Sequence, residues 1–461
     1  MVCCSLENND VGWFSRRQSA YQCTTPITAS QSCGGLLARI RPTILQIPPI
    51  HAPSFMALRR DTLVEAVEFP IHLESIERYF TMTDRRECAF CASEITEIND
   101  SKEHVIPNSI GGRKKVRGFI CITCNSSFGQ SWDAKLAEQL NWFSLAVGIE
   151  REQGSCPAKI VHTVDGTELR LRADGTMTRK EPFFQKTESD GKVNIRMLAS
   201  TKREAQQRLK GIKKEHPGFD LEGELKNLER TAFKVNSALQ HRLELGGSEA
   251  GRSVVKTAIA QCVRLGIAAH RCEIGIYTLK TPTDDRGFAL FYIRDVVIDR
   301  PQTDLFHLVS IRGDSEKGTL LAYVEYFGAM RVMVNLSSKF EGDSFISVYA
   351  FNPQSREELN LSVNWDIPAT ELHAAFNGFG LDANNFYLAC RNATAIAYHM
   401  QKMRERHHVH REELSAVLSQ LGIPPGGIPE PKDRDQFNSL MEEKLGSLSE
   451  FIKKIPPMPD D

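Results

Sequence analysis

The alternation of apolar and polar residues along the chain predicts both strands and helices. Residues 156–198 alternate around Asp-Gly turn signals, which predicts a β-hairpin or a small sheet. The run 200–215 has helical composition, and 253–271 repeats apolar residues at the spacing of a buried helix. Several β-rich runs within 286–364 predict one antiparallel sheet, and helices are expected again from about 369.

These patterns indicate an α+β chain with several regions. Residues 1–55 have Glu7 and Asp10 as their only acids and show no sustained period. We expect this extension to be disordered, as a transit segment would be, or to lie outside a natural product that starts at Met56. The other regions, in chain order, are a cysteine-bearing module at 84–148, a mixed hairpin and helical region at 149–285, a β region at 286–365 and a helical region at 366–461.

Composition and charge narrow the class of protein. The 461 residues allow two or three domains, and the formal net charge of -1 restricts any nucleic-acid surface to a local patch. No apolar run approaches the roughly 20 residues needed to cross a bilayer, so no membrane partner is expected. The 12 cysteines are spread unevenly through a long chain, which favours a reduced, cytoplasmic setting over a secreted disulfide framework.

Two matched cysteine pairs predict a zinc site. Cys88 and Cys91 form one Cys-x-x-Cys, and Cys121 and Cys124 form the other. Each pair can bind one edge of a tetrahedral Zn²⁺, whereas unrelated thiols or a redox pair account less well for the matched spacing. The apparent free energy of zinc binding to small peptides is roughly 10–16 kcal/mol, which is enough to fold such a module. Four cysteines leave no coordination position for water, so this site explains folding and not a reaction.

The segment between the two cysteine pairs contains the residues that could perform chemistry. It reads KEHVIPNSIGG from Lys102 to Gly112. A lone histidine beside apolar residues is more often a buried structural residue than a catalyst. The position of His104 after an acid, before Pro107 and between two cysteine pairs is more specific.

The order Cys-x-x-Cys, Glu-His-x-x-Pro, Gly-Gly and Cys-x-x-Cys-Asn resembles the zinc-containing branch of the HNH endonucleases over about residues 85–140. The resemblance implies a ββα-metal, treble-clef-like zinc module, followed here by a larger mixed region with an antiparallel sheet and helices. It implies that His104 is the general base. It also implies that Glu103 and Asn125 bind a single catalytic Mg²⁺ or Mn²⁺, with nucleic acid as substrate and DNA favoured.

Elementary chemistry is consistent with these implied roles. Phosphodiester hydrolysis needs a water, a group that accepts its proton, and a cation beside the phosphate. Imidazole has an unperturbed pKa of about 6.5, and carboxylate and amide oxygens suit Mg²⁺. Neighbouring residues on a regular strand point to opposite faces, so we expect a bend or bulge at Glu103 and His104.

Two positions depart from a simple transfer of the family pattern. Asp133 shares a predicted helix face with Asn125, but a continuous helix would separate them by about 12 Å. Asp133 is therefore expected either to support the site from behind or to be an exposed acid. The family's middle asparagine is missing from 113–120, so Gly118 or a backbone group would have to fix the loop that carries His104.

A cluster of basic residues surrounds the motif. Phosphate contacts from such side chains supply affinity without reading sequence, although a run of charge is more often a solvated hairpin tip. The candidates for nucleic-acid binding are Lys102, Arg113, Lys114, Lys115 and Arg117.

The function predicted from these residues is metal-dependent hydrolysis of phosphodiester bonds, with zinc as a structural ion. One alternative is a zinc-bound nucleic-acid-binding protein without catalytic activity. Another is an interaction module in which zinc only staples the fold. The sequence leaves open whether the chain forms a homo-oligomer, which would decide between nicking and double-strand cutting.

Overall fold

In the computed structural model, all of the described residues belong to one compact unit. The described residues are 21–27, 86–152, 154–180, 183–189, 192–199, 202–226, 239–424 and 426–452.

Every strand pair in the described residues is antiparallel. The strands form two five-stranded sheets, ordered β1-β9-β4-β5-β6 and β10-β13-β12-β11-β14, and two ribbons, β2-β3 and β7-β8. In chain order they are β1 (Tyr21–Ile27), β2 (Glu103–His104), β3 (Lys115–Val116), β4 (Lys159–Thr163), β5 (Glu168–Leu171), β6 (Met177–Arg179), β7 (Phe183–Ser189), β8 (Lys192–Leu198), β9 (Leu239–Leu245), β10 (Phe288–Leu290), β11 (His307–Asp314), β12 (Thr319–Tyr326), β13 (Met330–Ser337) and β14 (Phe345–Phe351).

Along the sequence, the α-helices alternate with groups of strands, and the last of them follow β14. They are α1 (Ile122–Gln130), α2 (Trp132–Val147), α3 (Lys202–Glu215), α4 (Leu221–Lys226), α5 (Ser248–Arg264), α6 (Glu273–Lys280), α7 (Ala369–Ala374), α8 (Ala383–Gln420) and α9 (Arg434–Ile452). None of these described helices is both long enough and apolar enough to cross a membrane.

The central strands β11, β12 and β13 of the sheet β10-β13-β12-β11-β14 are buried on both faces. Val309 and Val324 join the main core, which also contains residues of α2 and α5, whereas Leu308 and Tyr323 join a second cluster. Successive residues of these strands are therefore covered from opposite sides of the sheet. The antiparallel sheet predicted within 286–364 is therefore confirmed.

Helix α5 packs against α2 and against the main sheet. Its residues from Ala250 to Cys262 are all buried, which confirms the buried helix predicted from apolar spacing. The helix starts at Ser248 and ends at Arg264, earlier than the predicted 253–271. Gly266, with φ of 85°, takes the left-handed conformation that commonly follows a helix end.

The remaining element predictions also have counterparts in the structure. Strands β4 to β6 and the ribbon β7-β8 occupy the predicted hairpin region at 156–198, and α3 covers Lys202–Glu215 of the predicted helix at 200–215. Strand β1 corrects the expectation of no regular structure in 1–55, because Tyr21–Ile27 pairs with Leu239–Leu245. A distant partner supplies the hydrogen bonds of this strand, and the local sequence does not reveal that partner. The rest of 1–55 lies outside the described residues.

Candidate active site

The four paired cysteines converge. Their sulfur atoms all lie within 4.8 Å of one another, and Cys91 Sγ is 3.7 Å from Cys121 Sγ. Zinc bound tetrahedrally at about 2.3 Å from each sulfur would place the sulfurs about 3.8 Å apart. Cys88, Cys91, Cys121 and Cys124 therefore fit a structural zinc ion, and no other metal-capable group was found in the described part of the chain.

Local backbone geometry brings each cysteine pair together. Ala92 takes a positive φ of 58°, and the Cys88 N–H donates to the Ser93 carbonyl at 2.8 Å, which closes the first turn. Hydrogen bonding with Ser93 lowers the pKa of Cys91 to about 6, which favours the thiolate that binds metal. Cys121 is the N-cap of α1, where its Sγ accepts the N–H three residues further on at 3.5 Å.

The segment between the cysteine pairs forms a short ribbon, β2-β3, followed by α1, an order consistent with a ββα-metal module. Glu103 pairs with Val116, and His104 pairs with Lys115. The strand is only two residues long, and the chain bends immediately after His104 into a 3-10 turn at Asn108–Ile110. The expected irregularity therefore follows the Glu-His pair.

The glycine pair is required by the turn that follows His104. Gly111 has φ of 102°, a left-handed value that favours glycine. At Gly112 a Cβ atom would lie 1.7 Å from the backbone oxygen of Ile106, which is far inside contact distance. Both glycines thus permit the tight return of the chain beside the predicted catalytic residues.

One open cleft of about 370 Å³ collects the predicted site residues. Glu103, His104, Asn125 and Asp133 all line it. Residues that the sequence reasoning did not select also line the cleft, namely Asn108, Ser109 and Arg151. The buried Ser109 Oγ and Arg151 Nε have no hydrogen-bond partner among the described residues. The cleft thus combines a histidine, oxygen donors and groups able to donate to an anion.

The predicted continuous helix through Asn125 and Asp133 is wrong. Helix α1 ends at Gln130, and Ser131, with φ of -112° and ψ of -83°, separates it from α2. Asp133 therefore lies in the first turn of a second helix. The separation expected for one straight helix does not apply, and both residues line the same cleft.

A buried lysine that the sequence reasoning missed holds the two acids of the cleft. Lys256 of α5 places its Nζ 2.6 Å from Glu103 Oε1 and 2.5 Å from Asp133 Oδ2. Its side chain is 1% exposed. Burial alone would lower the pKa of Lys256, but the two carboxylates outweigh burial and raise it above its ordinary value. A lysine within the apolar run SVVKTAIAQC was the available sequence signal.

The three oxygen-bearing side chains of the cleft differ in their hydrogen-bond partners. Ser253 Oγ and Lys256 engage both oxygens of Asp133, and the Asp133 side chain is 16% exposed. Its supporting role stays a prediction. Lys256 engages only one oxygen of Glu103. Asn125 donates its Nδ2–H to Ser101 Oγ at 2.7 Å, which orients the amide and leaves its carbonyl oxygen for another partner.

Asn108 and His307 restrain the turn that follows His104. Asn108 donates to the Gly112 carbonyl at 3.3 Å and accepts the Glu152 N–H at 3.0 Å. His307 of β11 donates from Nε2 to the Ile110 carbonyl at 2.8 Å. Burial lowers the pKa of His307 to about 3, consistent with a neutral ring. The predicted substitute, Gly118, instead donates its N–H to an aspartate side chain outside this turn.

Glu152 contacts the proposed base from outside the zinc module. Its Oε1 lies 3.2 Å from His104 Nε2, and its Oε2 lies 2.7 Å from Lys115 Nζ. The hydrogen bond from Lys115, and then the contact with His104, lower the pKa of Glu152 to about 2. This carboxylate is therefore ionised near neutral pH beside the imidazole.

Most of the predicted nucleic-acid-binding residues have partners within the chain. Lys114 Nζ lies 2.7 Å from Glu358 Oε1, and Arg117 lies 3.6 Å from Asp100 Oδ2. Arg113 donates to a backbone carbonyl at 2.5 Å, Lys115 pairs with the carboxylate beside His104, and Lys102 is exposed. Surface ion pairs are weak and exchange readily, so these contacts do not preclude phosphate binding. Their role stays a prediction.

Residues 88–141 match the model of a family described as HNH endonuclease. The match includes all four cysteines and the Glu-His pair, and it covers a minority of the 461 residues. No curated protein and no solved structure matches the chain. The resemblance of the cysteine module to HNH endonucleases is thus confirmed, and it indicates nuclease activity on nucleic acid.

Proposed function

We propose that the protein is a metal-dependent HNH-type endonuclease that hydrolyses phosphodiester bonds, with DNA as the favoured substrate. The observation that carries this proposal is the cleft itself. It gathers Glu103, His104 and Asn125 inside the segment that matches the HNH family, beside a cysteine cluster suited to zinc.

The oxygen donors of the cleft fit a single Mg²⁺ or Mn²⁺. The uncommitted carboxylate oxygen of Glu103 and the carbonyl oxygen of Asn125 are hard ligands, and two protein ligands leave positions for water and a phosphate oxygen. When bound, such an ion would neutralise charge that develops on the phosphate and the leaving oxygen. The buried Lys256 keeps the Glu103 carboxylate in place for this role.

His104 supplies the proton acceptor in this proposal. Its side chain is 19% exposed and lines the cleft, so a water molecule beside a bound phosphate can reach it. The imidazole removes a proton from that water as the water attacks phosphorus. Arg151, with an unpaired buried Nε at the same cleft, can donate to a phosphate oxygen.

One observation favours a protein that binds nucleic acid without cutting it. Lys256 already neutralises part of the charge on Glu103 and Asp133, which reduces the need for a second cation. In that case the basic residues around the cleft would bind phosphates and the zinc module would be a scaffold.

Plasmid cleavage by the full-length protein with Mg²⁺, with Mn²⁺ and with a chelator tests the nuclease. His104→Ala is expected to lower the cleavage rate by about 10²- to 10⁴-fold, the usual contribution of a general base. His410→Ala, which changes an exposed histidine on α8, is the matched control. Both variants must keep the zinc content of the wild type. Equal cleavage by His104→Ala and wild type would refute the assigned base, and DNA binding without any cleavage would favour the alternative.

A further inference from the structure

Glu152 stands where a group that orients the catalytic histidine would stand. It follows α2 and lies beyond residues 88–141, so the family match does not assign it. Its carboxylate is 3.2 Å from His104 Nε2, a buried nitrogen for which the structure shows no other polar partner among the described residues. The two atoms are at ion-pair distance without the alignment of a full hydrogen bond. Such contacts in active sites often tighten only when substrate binds.

The position of Glu152 is itself fixed by the module. Asn108 accepts its backbone N–H at 3.0 Å, and Lys115 Nζ binds its second carboxylate oxygen at 2.7 Å. Lys115 is also the strand partner of His104 in the β2-β3 ribbon. Backbone and side chain are thus tied to the turn and to the strand that flank the histidine.

We propose that Glu152 is the positioning residue of His104. A neutral imidazole has one protonated and one unprotonated nitrogen, and the partner of one nitrogen determines the state of the other. The carboxylate accepts a hydrogen bond from Nε2–H, which keeps the ring proton on Nε2 and leaves Nδ1 unprotonated, able to take a proton from water. The same contact fixes the orientation of the ring. This inference rests on the proposed role of His104 as general base.

The arrangement also accounts for the missing middle asparagine. Asn108 restrains the turn after His104, and its side-chain oxygen accepts a hydrogen bond from the Glu152 N–H. A single asparagine from inside the turn therefore links the loop to the group that orients the base. The orienting function is supplied from the segment after α2 and not from the strand before the second cysteine pair.

The test compares Glu152→Leu and Glu152→Asp with Glu150→Leu in the full-length protein. Glu150 is a matched control, since it lies in the same loop and its carboxylate pairs with Arg356, away from the histidine. Kinetics on a DNA substrate give kcat and KM separately. Two-bond proton–nitrogen NMR spectra of protein labelled on histidine ¹⁵N give the tautomer of His104, assigned by the signal lost in His104→Gln.

Glu152→Leu is expected to lower kcat by about 100-fold with KM within about twofold, since the group acts through the base and not on substrate binding. Glu152→Asp should restore part of kcat, and Glu150→Leu should match the wild type. The spectra should show the Nε2–H tautomer in the wild type and its loss in Glu152→Leu.

Two results would overturn the proposal. A rise in kcat for Glu152→Leu would mean that the carboxylate blocks the histidine, and an unchanged kcat with an unchanged tautomer would mean that it does not position the ring. If the wild type cleaves nothing, the proposed nuclease fails separately. The tautomer comparison then decides alone whether Glu152 orients His104.

Discussion

Replacing Lys256 with methionine should destabilise the protein far more than the loss of a surface ion pair. Lys256 is 1% exposed, and its partners Glu103 and Asp133 are 6% and 16% exposed at their side chains. Methionine fills a similar volume, so the main effect is the loss of the only cation that both carboxylates contact in the described residues. Two acids would then face each other in a poorly hydrated site.

The magnitude follows from the cost of an unpaired buried charge. Removing one partner of a buried ion pair typically costs about 3–5 kcal/mol, whereas exposed pairs contribute about 0.2–1 kcal/mol. Lys135→Met, which removes a lysine from an exposed pair with Glu138, is the matched control. Lys135→Met should therefore lower the free energy of unfolding several times less than Lys256→Met does.

Thermal and urea unfolding of both variants measure the difference. A loss of about 3 kcal/mol lowers the melting temperature by roughly 6 °C or more in a domain of 150–250 residues. Asp133→Asn in the Lys256→Met background should recover part of the stability, because it removes one of the two facing charges. Equal stability of Lys256→Met and Lys135→Met, or no recovery in the double variant, would refute the reasoning.

Three further predictions concern the zinc, the turn and pH. Cys121→Ser should abolish tight zinc binding, measured as metal content by atomic emission. It should also unfold the module, and a strong chelator should have the same effect on the wild type. Gly112→Ala should lower the melting temperature markedly, because its Cβ would meet the Ile106 oxygen at 1.7 Å. His307 has a folded pKa of about 3 against 6.5 for the free side chain, so the unfolded chain takes up the proton first and stability falls as the pH drops through 6.5 towards 3. This histidine should lower the free energy of unfolding by about 2 kcal/mol between pH 7 and pH 5. Urea unfolding of His307→Asn should lack that part of the pH dependence.

Features coded by neighbouring residues could be predicted from the sequence. The two cysteine pairs and the Glu-His-x-x-Pro motif lie within a short segment. The cysteine spacing indicated zinc, and the resemblance to HNH endonucleases indicated the cleft residues. The apolar spacing of α5 and the β-rich runs of the main sheet also report burial directly. Each of these signals depends on a few adjacent positions.

Features that depend on distant contacts could not be predicted in the same way. Lys256 and Glu152 reach the cleft only because α5 and the segment after α2 pack against the zinc module. The break at Ser131 has no proline to mark it, and the nearby Gly129 lies within α1. The strand at Tyr21–Ile27 depends on a partner more than 200 residues away. Local patterns carry no information about such partners.

Helix α5 connects the cleft to the main sheet. Thr257 accepts the Tyr326 hydroxyl of β12 at 2.8 Å, while the preceding residue, Lys256, grips Glu103. Each residue turns a helix by about 100°, so inserting a single residue between the start of α5 and Lys256 would swing the ammonium group away from both acids. The zinc module therefore cannot be transferred to another protein without α5 and keep its site intact. A displacement of the main sheet would move α5, and with it the Lys256 ammonium group in the cleft.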